Sequence, residues 1–197
     1  MRFDYLFALL PTLSVVLADA FVDLPTHEFI PRWEFEPFPG ENVVLNGTIE
    51  QVLAELKQIN PNYSPFSSAP HETVSSLSAR HQHQIHERDS VFCDNPNWGR
   101  VHVLKSQIGL DYLKAVKGQP SAGPGPGNCG RVSCGYMTGI WFCNDNTHDI
   151  TIESFYEIAE MVRVIEYYCA YGRKTDFNGQ AFHRTGNWNV VLRGAAC

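Results

Sequence analysis

A chain of 197 residues with 44% hydrophobic side chains and a formal net charge of -6 is ordinary globular material, long enough for one domain with an extension. The acidic balance argues against a phosphate-backbone partner, which needs clustered Lys and Arg, so no nucleic-acid ligand is expected. All six cysteines lie between Cys93 and Cys197, which divides the chain into an unstapled leader and a C-terminal part open to cross-linking.

Met1 to Ala20 reads as a signal peptide: Arg2 supplies the positive end, Leu6 to Leu17 the apolar run, and Ala18 and Ala20 the small residues at a cleavage site. That run is shorter than the roughly 20 residues a membrane span takes, and no second stretch of spanning length follows. A secreted, extracellular protein with no stable membrane insertion is expected. In an exported chain an even cysteine count points to three disulfides and no free thiol, with the connectivity left open.

Residues 21–90 read as a cysteine-free, loop-rich N-terminal extension and linker, rich in Pro, Ser, His and aromatics. One helix stands out. Thr48 and Gln51 form a capping box, Ile49, Val52, Leu53, Leu56 and Ile59 line one face, and Asn60-Pro61 ends it. A stripe of that width is expected to dock on the C-terminal domain. Asn46-Gly47-Thr48 and Asn62-Tyr63-Ser64 are N-glycosylation sequons, so Asn46 and Asn62 are candidate glycan sites. His81, His83 and His86 sit in the polar linker, but their spacings mix strand and helix periods, so no metal site is expected there.

Residues 91–197 read as a stapled domain. A strand is expected at Ser90 to Cys93, then a helix with Val101, Leu104, Ile108, Tyr112 and Val116 on its inner side and Leu113 beside them. The Gly/Pro run from Ser121 to Asn128 must be a surface loop, and it lacks the Gly-Lys-Ser/Thr ending of a phosphate-binding loop. Val132 to Cys143 looks like one long strand, which would hold Cys134 and Cys143 too far apart to pair. Thr151 is expected to cap a second helix, with Ile152, Phe155, Ile158, Ala159, Val162, Ile165, Tyr168 and Cys169 forming an apolar face up to Gly172. Residues 179–184 and 187–193 read as a hairpin with Trp188, Val190 and Leu192 on one face. The expected fold is α+β: a two-layer sandwich of a small antiparallel sheet with two helices on one face.

The runs Gly123 to Cys134, Ile140 to Asn146, Gly179 to Phe182 and Asn187 to Arg193 resemble a group of fungal small secreted cysteine-rich proteins, and the layout is more loosely similar to killer-toxin-like α/β sandwiches. The resemblance covers Cys93 to Cys197 and implies an effector-like or toxin-like protein; a monomer that binds a host or competitor target without catalysis is expected.

Motifs for a serine hydrolase, a zinc protease or a zinc deaminase are missing from the sequence, and no cofactor or metal is expected. The alternative is a small extracellular hydrolase of glycan or RNA built on Asp145 and His183, with Asp149 and Glu153 as further acids. Against it, Asp145 has an ordinary role in a turn, and Asp149 and Glu153 an ordinary one at a helix start.

Overall fold

The computed structural model describes residues 27–66, 90–170, 172 and 175–197. The expected signal segment and His81, His83 and His86 lie outside them. Within the described residues the protein is α+β, with three helices, one mixed sheet of six strands and three two-stranded ladders.

The extension begins with strands where loop is expected. β1 (His27–Phe29) leads to a hairpin of β2 (Arg32–Phe38) and β3 (Glu41–Asn46). Along β2 the side chains alternate, with Trp33, Phe35 and Pro37 inward and Arg32, Glu34 and Glu36 outward, which is the half-buried strand pattern. Pro37 and Pro39 masked it. The strand accommodates Pro37 at an irregularity in its register between Phe35 and Phe38. α1 (Ile49–Ile59) then starts as expected: the Gln51 side chain accepts the Thr48 N–H at 2.9 Å. Its buried residues Ile49, Val52 and Leu56 enter the main core, so the stripe docks on the body of the protein.

β4 (Ser90–Cys93), β7 (Asn128–Gly135), β8 (Thr138–Asn144), β11 (Gly179–His183) and β12 (Trp188–Gly194) form the sheet with β1, in the order β1-β7-β8-β12-β11-β4. Pairing is antiparallel except for β1, which runs parallel to β7, so the sheet is mixed where an antiparallel one was expected. The odd strand comes from the extension. Small ladders join β5 (Val101–His102) to β10 (Asp176–Phe177) and β6 (Ser121–Ala122) to β9 (Ile150–Thr151).

The expected long strand from Val132 to Cys143 is a hairpin. β7 and β8 turn at Tyr136 and Met137, whose φ values are 53° and 62°. A two-residue hairpin turn with both φ angles positive ordinarily carries Asn and Gly, so nothing at these two positions announced it.

α2 (Val103–Ala115) turns a different face inward than its large apolar residues suggested. Ser106, Gly109, Leu110 and Leu113 are buried, while Leu104 is 71% exposed. Small residues explain the inversion. A side chain at Gly109 would collide with Ser133 Oγ and press on Ile140, so glycine lets α2 lie close on β7 and β8. α3 (Phe155–Cys169) has Ser154 at its N-cap, whereas the expected cap, Thr151, pairs with Ser121 in the β6–β9 ladder. Its inner face is otherwise the expected one, apart from Tyr168, which is exposed, and the chain leaves it through Gly172 in the left-handed region.

Trp33, Phe35 and α1 share one cluster with α2, α3 and the sheet residues Val132, Ile140, Phe142, Ala181, Trp188, Val190 and Leu192. Residues 27–66 therefore complete the core of the stapled part. The other face of the sheet carries a smaller cluster of Trp98, Cys129, Trp141, Cys143 and Val191.

Between α2 and α3, the Glu166 carboxylate accepts from Ser106 Oγ at 2.6 Å and from Gln107 Nε2 at 2.8 Å. Burial raises its pKa above the usual glutamate value, against the opposing pull of those hydrogen bonds and of Lys114 and Arg163. The native state therefore holds this proton more tightly than the unfolded chain. Its contribution to stability is complete below the ordinary glutamate pKa and is lost as pH climbs through the raised value. Glu166→Gln should flatten the dependence of the melting temperature on pH across that window, measured by calorimetry; an unchanged slope would refute this.

All six cysteines are paired: Cys93 with Cys169, Cys129 with Cys143, and Cys134 with Cys197. Cys134 and Cys143 do not bond to each other, as expected, and the core-facing Cys169 reaches the edge strand β4.

Candidate binding face

Tyr136 and Met137 occupy the tip of the β7–β8 hairpin with 65% and 71% of their surfaces exposed. Left-handed backbone costs a side-chain-bearing residue roughly 1 to 2 kcal/mol, and a large apolar side chain in water adds nothing to offset it. The surrounding chain holds the turn in place. Ala195 N–H donates to Met137 O at 3.1 Å, and the Cys134–Cys197 disulfide ties the C-terminal residues to the end of β7. From the other side the Glu50 carboxylate of α1 accepts from Ser133 Oγ at 2.6 Å and from Cys134 N–H at 2.8 Å, beside the register shift between Arg131 and Ser133.

Next to the tip is an open groove of about 390 Å³ walled in part by Arg100, His102, Lys105, Thr138 and Ala195. Arg100 is engaged with Asp94 at 2.7 Å and with the Asp176 carbonyl, and His102 Nδ1 accepts the Leu104 N–H at the start of α2. Thr138 is buried, and its Oγ1 finds no hydrogen-bond partner among the described residues. Together the tip and groove place exposed apolar side chains beside the basic Arg100 and Lys105.

The sequence-derived acids and histidine are placed differently. Asp145 follows β8 and His183 ends β11, so both reach the same end of the sheet. Their side chains part there. Asp145 Oδ1 accepts Gly127 N–H at 3.0 Å and its Oδ2 accepts Asn189 Nδ2 at 2.7 Å, which ties the Gly/Pro loop to β12. His183 stacks on Trp188 at 4.6 Å, and its Nδ1 accepts Gly186 N–H at 3.0 Å. Trp188 and Asn189 are adjacent in a strand and point to opposite faces, so the two groups turn away from each other across the sheet. Asp149 and Glu153 are exposed; Asp149 precedes β9 instead of starting a helix, and Glu153 N–H donates to Glu157. None of these four lines the groove beside the tip or two others of about 500 and 320 Å³.

Asn46 and Asn62 are both exposed, one ending β3 and the other just past α1. Among the described residues no helix is long and apolar enough to cross a membrane, and no group of His, Cys, Asp or Glu is placed to hold a metal ion. No family model matches the chain, and neither a curated protein nor a solved structure is significantly similar to it.

The sequence reading missed Tyr136 and Met137 because strict alternation carried it straight through them. Gly135 and Gly139 on either side were the available signal of a break.

Proposed function

We propose that this is a secreted, effector-like or toxin-like protein that acts by binding a host or competitor target, without catalysis, and that the β7–β8 tip is its contact centre. One observation carries this reading: two large apolar side chains are exposed in a strained turn that the rest of the structure braces. Strain of this kind concentrates at functional sites, where the surrounding fold over-determines it. The three disulfides suit an oxidising, extracellular setting, as does the export signal read in the sequence. The resemblance of Cys93 to Cys197 to fungal small secreted cysteine-rich proteins points the same way. Asp145 and His183 serve as loop and turn anchors.

The test replaces the turn by the pair this geometry prefers, Tyr136→Asn with Met137→Gly. That variant should be more stable by about 1 to 2 kcal/mol while binding of labelled protein to host or competitor cells falls at least about tenfold. Undiminished binding by the stabilised variant would remove the tip from the reading. Asp145→Asn and His183→Ala should leave activity intact wherever they fold; a folded variant that loses turnover on a glycan or RNA substrate would instead establish the hydrolase.

A further inference from the structure

On the sheet face opposite the helices, two arginines converge on one indole. The Arg193 guanidinium lies 4.3 Å from the Trp141 ring centroid and that of Arg131 5.9 Å from it. They come from β12 and β7, the strands flanking β8, so the sheet brings them to a common ring from either side. Trp141 is buried beneath them among Cys129, Cys143 and Val191, which gives the pair a rigid floor.

Cation–π attraction accounts for one guanidinium on the ring. It does not account for two like charges held together. Of their N–H donors, Arg131 uses one, from Nη1 to Ala196 O at 3.0 Å, and Arg193 uses none toward any described residue. Among the described residues, the charge of Glu28 is the negative one that bears on Arg193. The pair therefore keeps guanidinium donors without a partner among the described residues, above a fixed base.

We infer that Arg131 and Arg193 form a subsite for a carboxylate on a protein partner, an aspartate or glutamate side chain. The inference rests on the tip being the contact centre. Planar guanidinium donors match a carboxylate in two-point hydrogen bonds, which favours this ligand over a bulky cation or a neutral sugar. A chain of net charge -6 repels a polyanion at long range, whereas one acidic side chain on an otherwise neutral surface meets the arginines within a screening length. Position agrees. Arg193 is opposite Gly139, two residues along β8 from Met137, or roughly 7 Å, so a partner covering the tip reaches the arginines in the same footprint.

The probe is the tripeptide acetyl-Ala-Glu-Ala-amide, titrated into the full oxidised chain while nuclear magnetic resonance follows the Trp141 indole N–H and Arg193 Nε–H. Saturable shifts are expected with a dissociation constant on the order of 1 to 10 mM. The Gln tripeptide should give none, and Arg131→Lys/Arg193→Lys, which keeps charge and packing but loses the planar fork, should weaken binding about tenfold. A flat titration, equal shifts from the Gln tripeptide, or undiminished binding by the double lysine variant would each overturn the subsite. Tighter binding of polygalacturonate or inorganic sulfate than of the Glu tripeptide would overturn its assignment to a protein carboxylate. Tyr136→Asn/Met137→Gly should bind the tripeptide unchanged, so failure at the tip and failure at the arginines are separable.

Discussion

Replacing Cys169 by serine should lower the unfolding free energy by roughly 2 to 5 kcal/mol and produce the largest loss of stability among the three cystine positions. Chain separation sets the two long bridges above the short one, because a cross-link restricts the unfolded chain more when it closes a longer loop, and the burial of Cys169 sets its bridge first. The Cys93–Cys169 bridge spans 76 residues, Cys134–Cys197 spans 63 and Cys129–Cys143 only 14. In the chain-entropy view the first is worth about 4.5 kcal/mol and the last about 3 kcal/mol. Cys169 is also 2% exposed at the end of α3, and its partner holds β4, an edge strand paired on one side only to β11. Urea unfolding followed by tryptophan fluorescence measures the loss. Cys93→Ser/Cys169→Ser separates it from the chemistry of an exposed free thiol at Cys93. A change below about 1 kcal/mol in both variants would contradict this account.

Trp33→Ala should cost about 3 to 5 kcal/mol even though Trp33 belongs to the cysteine-free extension. The indole is 2% exposed and stacks on Phe155 of α3 at 4.2 Å with nearly parallel planes. Its Nε1–H donates to the Gly47 carbonyl at 2.8 Å. Truncation opens a cavity against α3 and strands that carbonyl, so the transfer, cavity and hydrogen-bond losses fall on one site. Trp33→Phe keeps a ring against Phe155 and loses the hydrogen bond with part of the indole's volume, so it should cost less than alanine. The same geometry bears on a fragment starting at Ser90, which holds every staple. It would expose Phe155 and the residues that cover α1, and is expected to melt at lower temperature than the full chain. If Trp33→Ala proves nearly neutral and the fragment melts like the whole protein, the extension is an accessory and not part of the core.

Local signals with an unambiguous chemistry were readable in advance. The Thr48–Gln51 box placed α1, the long apolar face placed α3, and the alternation around Trp188, Val190 and Leu192 placed the final hairpin. What escaped depended on partners distant in the chain. β1 and β2 are strands because β7 and the core receive them, while Pro37 within β2 and the prolines flanking both strands gave the opposite local impression. The inner face of α2 is written in Ser106 and Gly109, which no count of apolar residues detects, because their value is the close approach they permit. The tip was invisible for the reason that makes it a candidate site: its residues break the local rule for its geometry. Asp145 and His183 were legible as residue types, but only the pleat decides which way each points.

Glu50 reaches Cys134 across 84 positions of the chain, and Cys197 reaches it across 63. The tip is thus a meeting place of the extension, the central hairpin and the C-terminal residues, and neither brace exists until a long loop has closed. A chain that has formed the β7–β8 ladder alone, or that has yet to oxidise its last cystine, lacks the supports for the left-handed turn. The exposed placement of Tyr136 and Met137 therefore depends on contacts that only the completed fold supplies.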